Sequence, residues 1–510
     1  MGFIDNIIAA FSPEAAYRRE AYRQALGWLR NYDAGNFDRP NQNWRASNQS
    51  GDATDRYSRD GVKARTRDLE RNSDIMNSVI GAFKRNVVGG GFQVQAKTEE
   101  TDLNKAIEKA WKRWCKKQNC DVTGRQSLNQ MIRMAVGRKK VDGGILFVKR
   151  YTKDGFVPFK LQMIETDELD NGTVWPKHTG NKVVGGIEYN GWNRPVGYFI
   201  RQYDIDGYGQ KEPVWIDAKD VIFYFTIRRP TQLREMSDMA QTIPRIRDIT
   251  EFMTAVSVKE RIEACLAIFI KKGLPVTGLG SGKLGRFGGQ EDRVSYDGKL
   301  LSPGMIKELN VGDEIQVVNP TGQGADATSF TKLQQRLVGA GQGISYEATS
   351  RDMSEATYSS ARQGMIEDDL TYGEEKELLL EVLDEIYETF IISAVLCGAL
   401  SIPRFWEEKE RYLAHEWTQE PRPWIDPQKE SNADSVALRT GQKTYKQIAA
   451  ENGRDWRDQI DDMAEVLEYG REKGVDMENI IFGIKEGEDL EETEETDDDK
   501  GSAGKGKKRE

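Results

Sequence analysis

The 510-residue sequence has little histidine and cysteine, and this scarcity excludes several kinds of catalytic centre. His178 and His415 are its only histidines, so chemistry that needs several imidazoles is excluded, and neither lies in a nucleophile-elbow sequence. The four cysteines are too few for a disulfide framework. Cys115 and Cys120 lack the second Cys or His pair of a zinc site, so buried thiols on a helix are the favoured interpretation.

Long hydrophobic runs are also missing. The longest mainly apolar stretch, residues 390–400, is too short to span a bilayer. The N-terminus has an early acid, Asp5, and neither the basic region nor the cleavage site of a signal peptide. Asn6 stands where a myristoylation motif has Ser or Thr. The sequence therefore predicts a protein that is made inside the cell, is soluble or assembled, and has no membrane partner.

The net charge of −10 is concentrated at one end of the chain. Residues 486–499 contain ten acidic residues and no basic one, whereas residues 1–485 carry only −4 and residues 500–510 carry +4. The acidic balance argues against a basic clamp for nucleic acid. Because it belongs mainly to a charged segment predicted to be disordered, it describes the tail rather than the body.

Short motifs offer no convincing site. Residues 280–285 (GSGKLG) match a dinucleotide loop literally, but a predicted helix rather than a strand precedes them, and Leu284 stands where a Walker loop needs Ser or Thr. A flexible glycine-rich loop is favoured. The acidic residues 367–369 and 461–462 could hold divalent metals, and the basic residues 138–140 and 271–272 could contact phosphate. Solvated helix faces are the favoured interpretation for both.

Hydrophobic periodicity predicts an α+β fold. Helical spacing covers residues 15–29, 62–88, 101–117, 128–141, 244–272, 329–337 and 359–397, with His415 in a later charged helical stretch. Strand-like runs separated by turn residues cover residues 145–148, 159–164, 183–189, 196–203 and 221–227, and shorter ones cover 306–309 and 314–318. Glycines at 339, 341 and 343 are predicted to end one helix, and residues 427 to about 473 form a smaller helical unit.

Seven segments in order resemble the portal proteins of lambda-like tailed phages. They are residues 64–72 (ARTRDLERN), 161–170 (LQMIETDELD), 186–200 (GIEYNGWNRPVGYFI), 221–237 (VIFYFTIRRPTQLREMS), 301–315 (LSPGMIKELNVGDEI), 343–362 (GISYEATSRDMSEATYSSAR) and 424–430 (WIDPQKE). The resemblance runs from about residue 60 to 470, and residues 344–362 are the most characteristic. The chain departs from the family at Phe223-Tyr224, where His is frequent, and at Glu235, where Gly is frequent; both positions concern local structure.

The resemblance implies the portal fold, with long stem and wing helices, a β-containing wing and a Gly-rich clip, assembled as a ring. By order, residues 1–29 form an N-terminal helical segment, 30–243 the wing, 244–272 stem helix 1, 273–327 the clip, 328–342 stem helix 2, 343–358 the tunnel loop, 359–401 the long wing helix, 402–475 the crown and 476–510 the acidic tail. Residues 273–324 contain 12 of the 49 glycines, as a Gly-rich clip would.

The same resemblance implies a head–tail connector with no catalytic residue, metal or cofactor. Its expected partners are further copies of itself (a ring of twelve), double-stranded DNA passing through the channel, the terminase large subunit, a head–tail adaptor, and the major capsid protein or scaffold. It would be located at the capsid vertex of the virion, and in the host cytoplasm during assembly. A DNA-packaging nuclease or ATPase, or another capsid component, is the alternative.

Six residues are predicted to line or narrow the channel, because the resemblance places them in the second stem helix and the tunnel loop. They are Lys332, Arg336, Tyr346, Arg351, Asp352 and Met353. The alternative that several of them face neighbouring subunits stays open.

Overall fold

The protein is described from a computed structural model. The described residues are 12–15, 17–19, 48–264, 268–272, 313–317, 324–419, 427–477 and 480. The Gly280–Gly285 motif, most of the predicted clip, the strand-like residues 306–309, almost all of the acidic tail and most of residues 1–47 lie outside this part of the chain.

Helices make up most of the described chain. They are α1 (Gly51–Asp55), α2 (Arg59–Asn72), α3 (Asp74–Phe83), α4 (Thr101–Trp114), α5 (Lys117–Cys120), α6 (Leu128–Asp142), α7 (Ile243–Ala264), α8 (Gly324–Gln342), α9 (Tyr346–Ser350), α10 (Tyr358–Leu396), α11 (Lys409–Leu413), α12 (Pro427–Arg439), α13 (Tyr445–Glu451) and α14 (Trp456–Lys473). A π-helical turn, Lys84–Val88, continues α3.

The strands form small sheets whose ladders are all antiparallel. They are β1 (Phe92–Ala96), β2 (Gly144–Tyr151), β3 (Phe159–Ile164), β4 (Lys182–Val184), β5 (Ile187–Tyr189), β6 (Pro195–Ile200), β7 (Val214–Asp217), β8 (Val221–Phe225), β9 (Ile268–Lys272), β10 (Asp313–Val317) and β11 (His415–Gln419). The sheet orders are β1-β11, β10-β9, β3-β2-β8 and β4-β5-β6-β7. The predicted α+β class is confirmed.

The described chain divides into two compact units. The first contains residues 1–88 and 113–401, and its centre is the three-stranded sheet. One face of that sheet packs against the four-stranded sheet through Leu146, Val148 and Tyr198. On the side of the sheet that faces the helices, Trp114 of α4 stacks on Phe159 of β3 with ring centroids 5.2 Å apart and also contacts Phe390 of α10. Because both faces of β2 are covered, its first five residues are all buried.

The second unit contains residues 89–112 together with 402–510. Strand β1 pairs with β11 from Phe92↔Gln419 to Ala96↔His415. Trp111 meets Trp417 edge to face, with ring centroids 5.8 Å apart. Residues 89–112 are therefore grouped with the C-terminal residues rather than with the chain on either side of them.

Several predicted boundaries were wrong. The helix expected over residues 62–88 is divided at Ser73, whose hydroxyl accepts a hydrogen bond from the backbone N–H of Met76 and caps α3. The helix expected over 244–272 ends at Ala264, and the β-branched and aromatic residues of β9 pair with β10 instead. His415 lies in strand β11 rather than in a helix.

Other predictions hold or differ only at their ends. The long helix predicted over 359–397 is α10. The run 183–189 is a hairpin, β4 and β5, joined at Gly185-Gly186. Helix α8 continues through Gly339 and Gly341, and only Gly343 ends it, because its φ of +68° lies in the left-handed region. In the described part of the chain, no helix has the length and apolar content needed to cross a membrane.

Candidate functional site

The segment between α8 and α10, residues 343–357, covers all but the last residue of the predicted tunnel loop (343–358), and local hydrogen bonds define its shape. It contains α9, whose N-cap residue Ser345 accepts a hydrogen bond from the N–H of Ala348. It ends at Thr357, which caps α10 through a reciprocal capping box with Ser360. The segment is therefore an ordered connection with a helical turn inside it.

Helix α10 holds the start of this loop. The carboxylate of Asp368 accepts hydrogen bonds from the backbone N–H of Ser345 (2.6 Å) and from its hydroxyl (2.8 Å). One turn later, the Thr371 hydroxyl donates to the carbonyl of Gly343. The acidic run 367–369 was predicted to be a solvated face. That prediction was wrong for Asp368, which is only 5% exposed because it satisfies the polar groups of the loop.

The two predicted channel cations of α8 both lie near one carboxylate of the same subunit. Lys332 Nζ lies 2.6 Å from Oε1 of Glu355, and an Arg336 Nη lies 3.8 Å from Oε2 of that residue. The hydrogen bond to Glu355 raises the pKa of Lys332. Glu355 was not predicted as a site residue, although it is an acid inside the predicted loop and could have been paired with the cations of the preceding helix.

Two further predicted residues join this group. Tyr346 donates its hydroxyl proton to Oδ2 of Asp352 (3.1 Å), and the Arg336 guanidinium lies 5.4 Å from the centre of the Tyr346 ring. Asp352 also accepts from the N–H and the hydroxyl of Ser354, and these bonds lower its pKa. Lys332, Arg336, Tyr346 and Asp352, with Glu355, thus form one polar group, which we call the loop cluster.

Met353 and Arg351 lie outside the loop cluster. The Met353 side chain is 60% exposed. Arg351 follows α9 with a φ of +60°, a left-handed conformation that non-glycine residues rarely adopt, and its side chain is exposed. The structure therefore brings together four of the six predicted site residues.

A buried ionic group lies next to the loop's attachment to α10. Lys139 Nζ contacts Oε2 of Glu375 (2.7 Å) and Oδ2 of Asp238 (3.0 Å), and Lys140 Nζ lies 3.4 Å from each of the same two oxygens. Tyr224 donates its hydroxyl proton to Oε1 of Glu375. We call these residues the ionic cluster; its members come from α6, α10, β8 and the segment between β8 and α7.

The ionic cluster contradicts the interpretation of residues 138–140 as solvated surface or phosphate contacts. Lys139 is 1% exposed and Lys140 is 8% exposed, because each is needed to compensate buried carboxylates. Burial alone would raise the pKa of Glu375, but the ammonium groups of Lys139 and Lys140 outweigh it and hold the pKa below its usual value. The pKa of Asp238 is lowered against burial by the same two lysines and Arg228.

The two positions that depart from the lambda-like pattern have buried polar contacts. Tyr224 belongs to the ionic cluster, and Glu235 is fully buried against Arg234, whose Nε lies 2.7 Å from Oε2 of Glu235. Lys63 also lies 3.6 Å from Oε1 of Glu235. These contacts agree with a local structural role for both departures.

The contacts and burial of His178, Cys115 and Cys120 are typical of structural rather than catalytic side chains. The Nδ1 of His178 lies 3.0 Å from the buried carboxylate of Glu188. Burial raises the pKa of the Cys115 thiol, and it raises that of Cys120 to about 12. Such thiols are poor nucleophiles at neutral pH. Within the described residues, no group of three or more His, Cys, Asp or Glu side chains is arranged to hold a metal ion.

The sequence is similar to known portal proteins. A family model described as "Phage portal protein, lambda family" matches residues 37–375. The probable portal protein of Halomonas phage phiHAP-1 is 24% identical over 456 residues, which cover 86% of each chain. Portal protein B of Escherichia phage lambda is 20% identical over 436 residues, covering 78% of this chain and 81% of that protein.

Solved structures were compared as well. A chain from the neck of a native GTA particle computed with C12 symmetry aligns with a TM-score of 0.41 and 14% sequence identity. The alignment covers 74% of this chain and 90% of that one.

Proposed function

The chain belongs to the lambda family of phage portal proteins, the head–tail connectors of the virion, and we propose that twelve copies assemble into a ring around a channel for double-stranded DNA. The match of residues 37–375 to the family carries this proposal. The family is a structural one, so the proposed role is to conduct DNA rather than to catalyse a reaction.

The parts of the subunit follow from chain order. We assign residues 30–243 to the wing, 244–272 to stem helix 1, 273–327 to the clip, 328–342 to stem helix 2, 343–358 to the tunnel loop, 359–401 to the long wing helix and 402–475 to the crown. In this assignment the loop cluster joins the second stem helix to the tunnel loop, and Asp368 joins the loop to the wing helix.

The proposed partners are those of a packaging vertex. During assembly in the host cytoplasm the ring would sit at one capsid vertex, held by the major capsid protein or scaffold. The terminase large subunit would dock on it while double-stranded DNA enters the head, and a head–tail adaptor would take its place before DNA is released into the tail.

The loop cluster supports passive conduction. Each Lys or Arg that binds a DNA phosphate adds salt-dependent affinity, and a channel with many such contacts would hold DNA rather than let it pass. Because Glu355 neutralises Lys332 and contacts Arg336, these two cations attract the DNA backbone less than free ones would. The near-neutral body of the chain, with a net charge of −4 over residues 1–485, likewise offers little attraction to the DNA backbone.

Native mass spectrometry and electron microscopy of the purified full-length protein test the assembly. We expect a closed ring of twelve subunits with a central hole that admits duplex DNA. A monomer that hydrolyses ATP or cleaves DNA would contradict the proposal and favour a packaging enzyme. A solid or open assembly would favour another capsid component.

A reconstruction of the ring also tests the six predicted channel residues. All six, Lys332, Arg336, Tyr346, Arg351, Asp352 and Met353, are expected to line or narrow the channel. If these side chains point away from the axis and contact neighbouring subunits, the assignment of the tunnel loop is wrong, although the ring itself would stand.

A further inference from the structure

A short hairpin projects from the four-stranded sheet between β6 and β7. Residues 202–211 fold back on themselves, because the N–H of Asp204 donates to the carbonyl of Gly209 (2.8 Å). The N–H of Lys211 likewise donates to the carbonyl of Gln202 (2.8 Å). These bonds continue the antiparallel pairing of β6 with β7 beyond the ends of the two strands. The segment is therefore a structured projection, which we call the hairpin arm.

The tip of the hairpin arm exposes two large apolar side chains. Ile205 is fully exposed and Tyr208 is 95% exposed. The N–H of Tyr208 donates to Oδ1 of Asp206 (3.1 Å), so hydrogen bonds define the turn that carries both side chains. Within the described residues, the carboxylates of Asp204 and Asp206 form no ion pair. An exposed tyrosine on an ordered turn is typical of a residue that anchors a protein interface.

A cleft of about 430 Å³ lies between α2 and α7 in the same compact unit. Two of the residues that line it, Leu69 and Ile243, are buried and apolar, and charged side chains surround them. Arg247 Nε pairs with Oε1 of Glu251 (2.7 Å). Arg65, in contrast, forms no ion pair in the part of the chain that the structure describes. The cleft thus offers apolar contact and an arginine whose charge is unmatched.

The hairpin arm and the cleft are complementary. The charges without a partner are negative on the arm and positive at the cleft. Asp68, the other acid that lines the cleft, accepts a hydrogen bond from Asn72 (2.9 Å) and lies 3.8 Å from Arg71. Because Tyr208 is exposed, the arm of a subunit does not occupy the cleft of that same subunit. A ring needs two different surfaces on each subunit that fit one another, and these two qualify.

We propose that the hairpin arm of each subunit docks in the α2–α7 cleft of the next subunit around the ring, an inference that rests on the proposed ring assembly. Tyr208 fills the cleft against Leu69 and Ile243, and the acids of the arm lie beside Arg65. The contact is heterologous, so every subunit contributes one arm and one cleft. The opposite charges at its edge favour this pairing of surfaces over others.

Chemical cross-linking of the full-length ring tests the contact directly. Y208C places a thiol on the arm, and T250C places one on α7 in the lining of the cleft. Both are made in a C265S/C397S background, because Cys397 is exposed and Cys265 lies outside the described residues. With a short bismaleimide, Y208C/T250C should give a ladder of covalent oligomers. Each single variant should give none, and neither should W192C/T250C, whose first thiol lies on another exposed turn of the same sheet.

Dilution of the ring, followed by mass photometry, measures the strength of the contact as the protein concentration at which half of the rings dissociate. Y208A should raise this concentration about tenfold, as the loss of an interface anchor does, and the matched control W192A should leave it unchanged. D204R and R65D should each raise it several-fold. D204R/R65D exchanges the two charges and should recover most of the wild-type value, which a purely local role of either residue would not allow.

The outcomes separate this inference from the function on which it rests. If the wild-type protein forms no ring, the portal proposal fails and the contact fails with it. If the ring forms but Y208C/T250C gives no ladder, or D204R/R65D is no better than the single variants, only the contact is refuted. If Y208A leaves the dissociation of the ring unchanged but weakens binding to the major capsid protein or scaffold, the arm docks on the shell instead, and the inference is equally refuted.

Discussion

Replacing Glu375 with glutamine should strongly destabilise the first compact unit. The substitution keeps the shape of the side chain and removes one negative charge that compensates Lys139 at 2.7 Å and Lys140 at 3.4 Å. Asp238 would remain as the carboxylate facing both lysines, and it also forms an ion pair with Arg228. Removing one partner of a buried ion pair costs about 3–5 kcal/mol, because the remaining charge stays buried.

Urea unfolding followed by tryptophan fluorescence measures this loss, with Trp114 as a buried reporter in the same unit. E375Q should lower the free energy of unfolding by about 3–5 kcal/mol at fixed protein concentration. The matched control is E374Q, the exposed neighbour, which should stay within about 0.5 kcal/mol of the wild type.

A double-mutant cycle makes the prediction sharper. K139M/E375L removes a lysine and a carboxylate together and leaves Lys140 with Asp238, so it should lose less stability than K139M and E375L lose in sum. If E375Q falls within about 1 kcal/mol of the wild type, or if the double variant is as unstable as the separate losses added together, the reasoning from burial is refuted.

Three further predictions concern the same region. The pKa values of Asp238 and Glu375 are lowered in the folded protein, so both carboxylates stabilise the fold at pH values above the ordinary carboxyl range. That contribution is lost as the pH falls through their folded pKa values. The urea midpoint should therefore drop in acid, and it should drop less in E375Q than in the wild type. D368A should lower the free energy of unfolding by about 1–3 kcal/mol, because it leaves the N–H of Ser345 in the loop without its buried acceptor; an unchanged melting temperature would contradict this. E355Q should free Lys332 and steepen the salt dependence of duplex binding by up to about 0.9; an unchanged slope would show that this lysine does not reach the DNA.

The sequence predicted the helices with regular apolar spacing best. Helix α10 is one example, because Leu379, Leu383 and Phe390 repeat at helical intervals on its buried side. The break at Ser73 was missed because the apolar positions on either side stay nearly in phase, and only the capping hydrogen bond reveals the division. The pairing of β9 with β10 was missed because the partners are more than 40 residues apart and strand pairing is a non-local interaction.

The candidate site was predicted less completely for a related reason. Segment order predicted the loop and its cations, but the other charged residues were assigned to solvent by default. Asp368 and Glu375 are in phase with the apolar side of α10, at helical intervals from Tyr372 and Leu379, and this phase was a signal that they face inward.

Helix α10 also has a mechanical consequence. Its 39 residues extend about 58 Å at 1.5 Å per residue, and its first buried residue is Asp368, about 15 Å from the start of the helix. Asp368, which holds the loop, precedes Glu375, which is locked to Lys139, by two turns on the same side of the helix. A force applied to the loop would therefore act on a helix that the buried ion pair of Glu375 and Lys139 anchors about 10 Å further on.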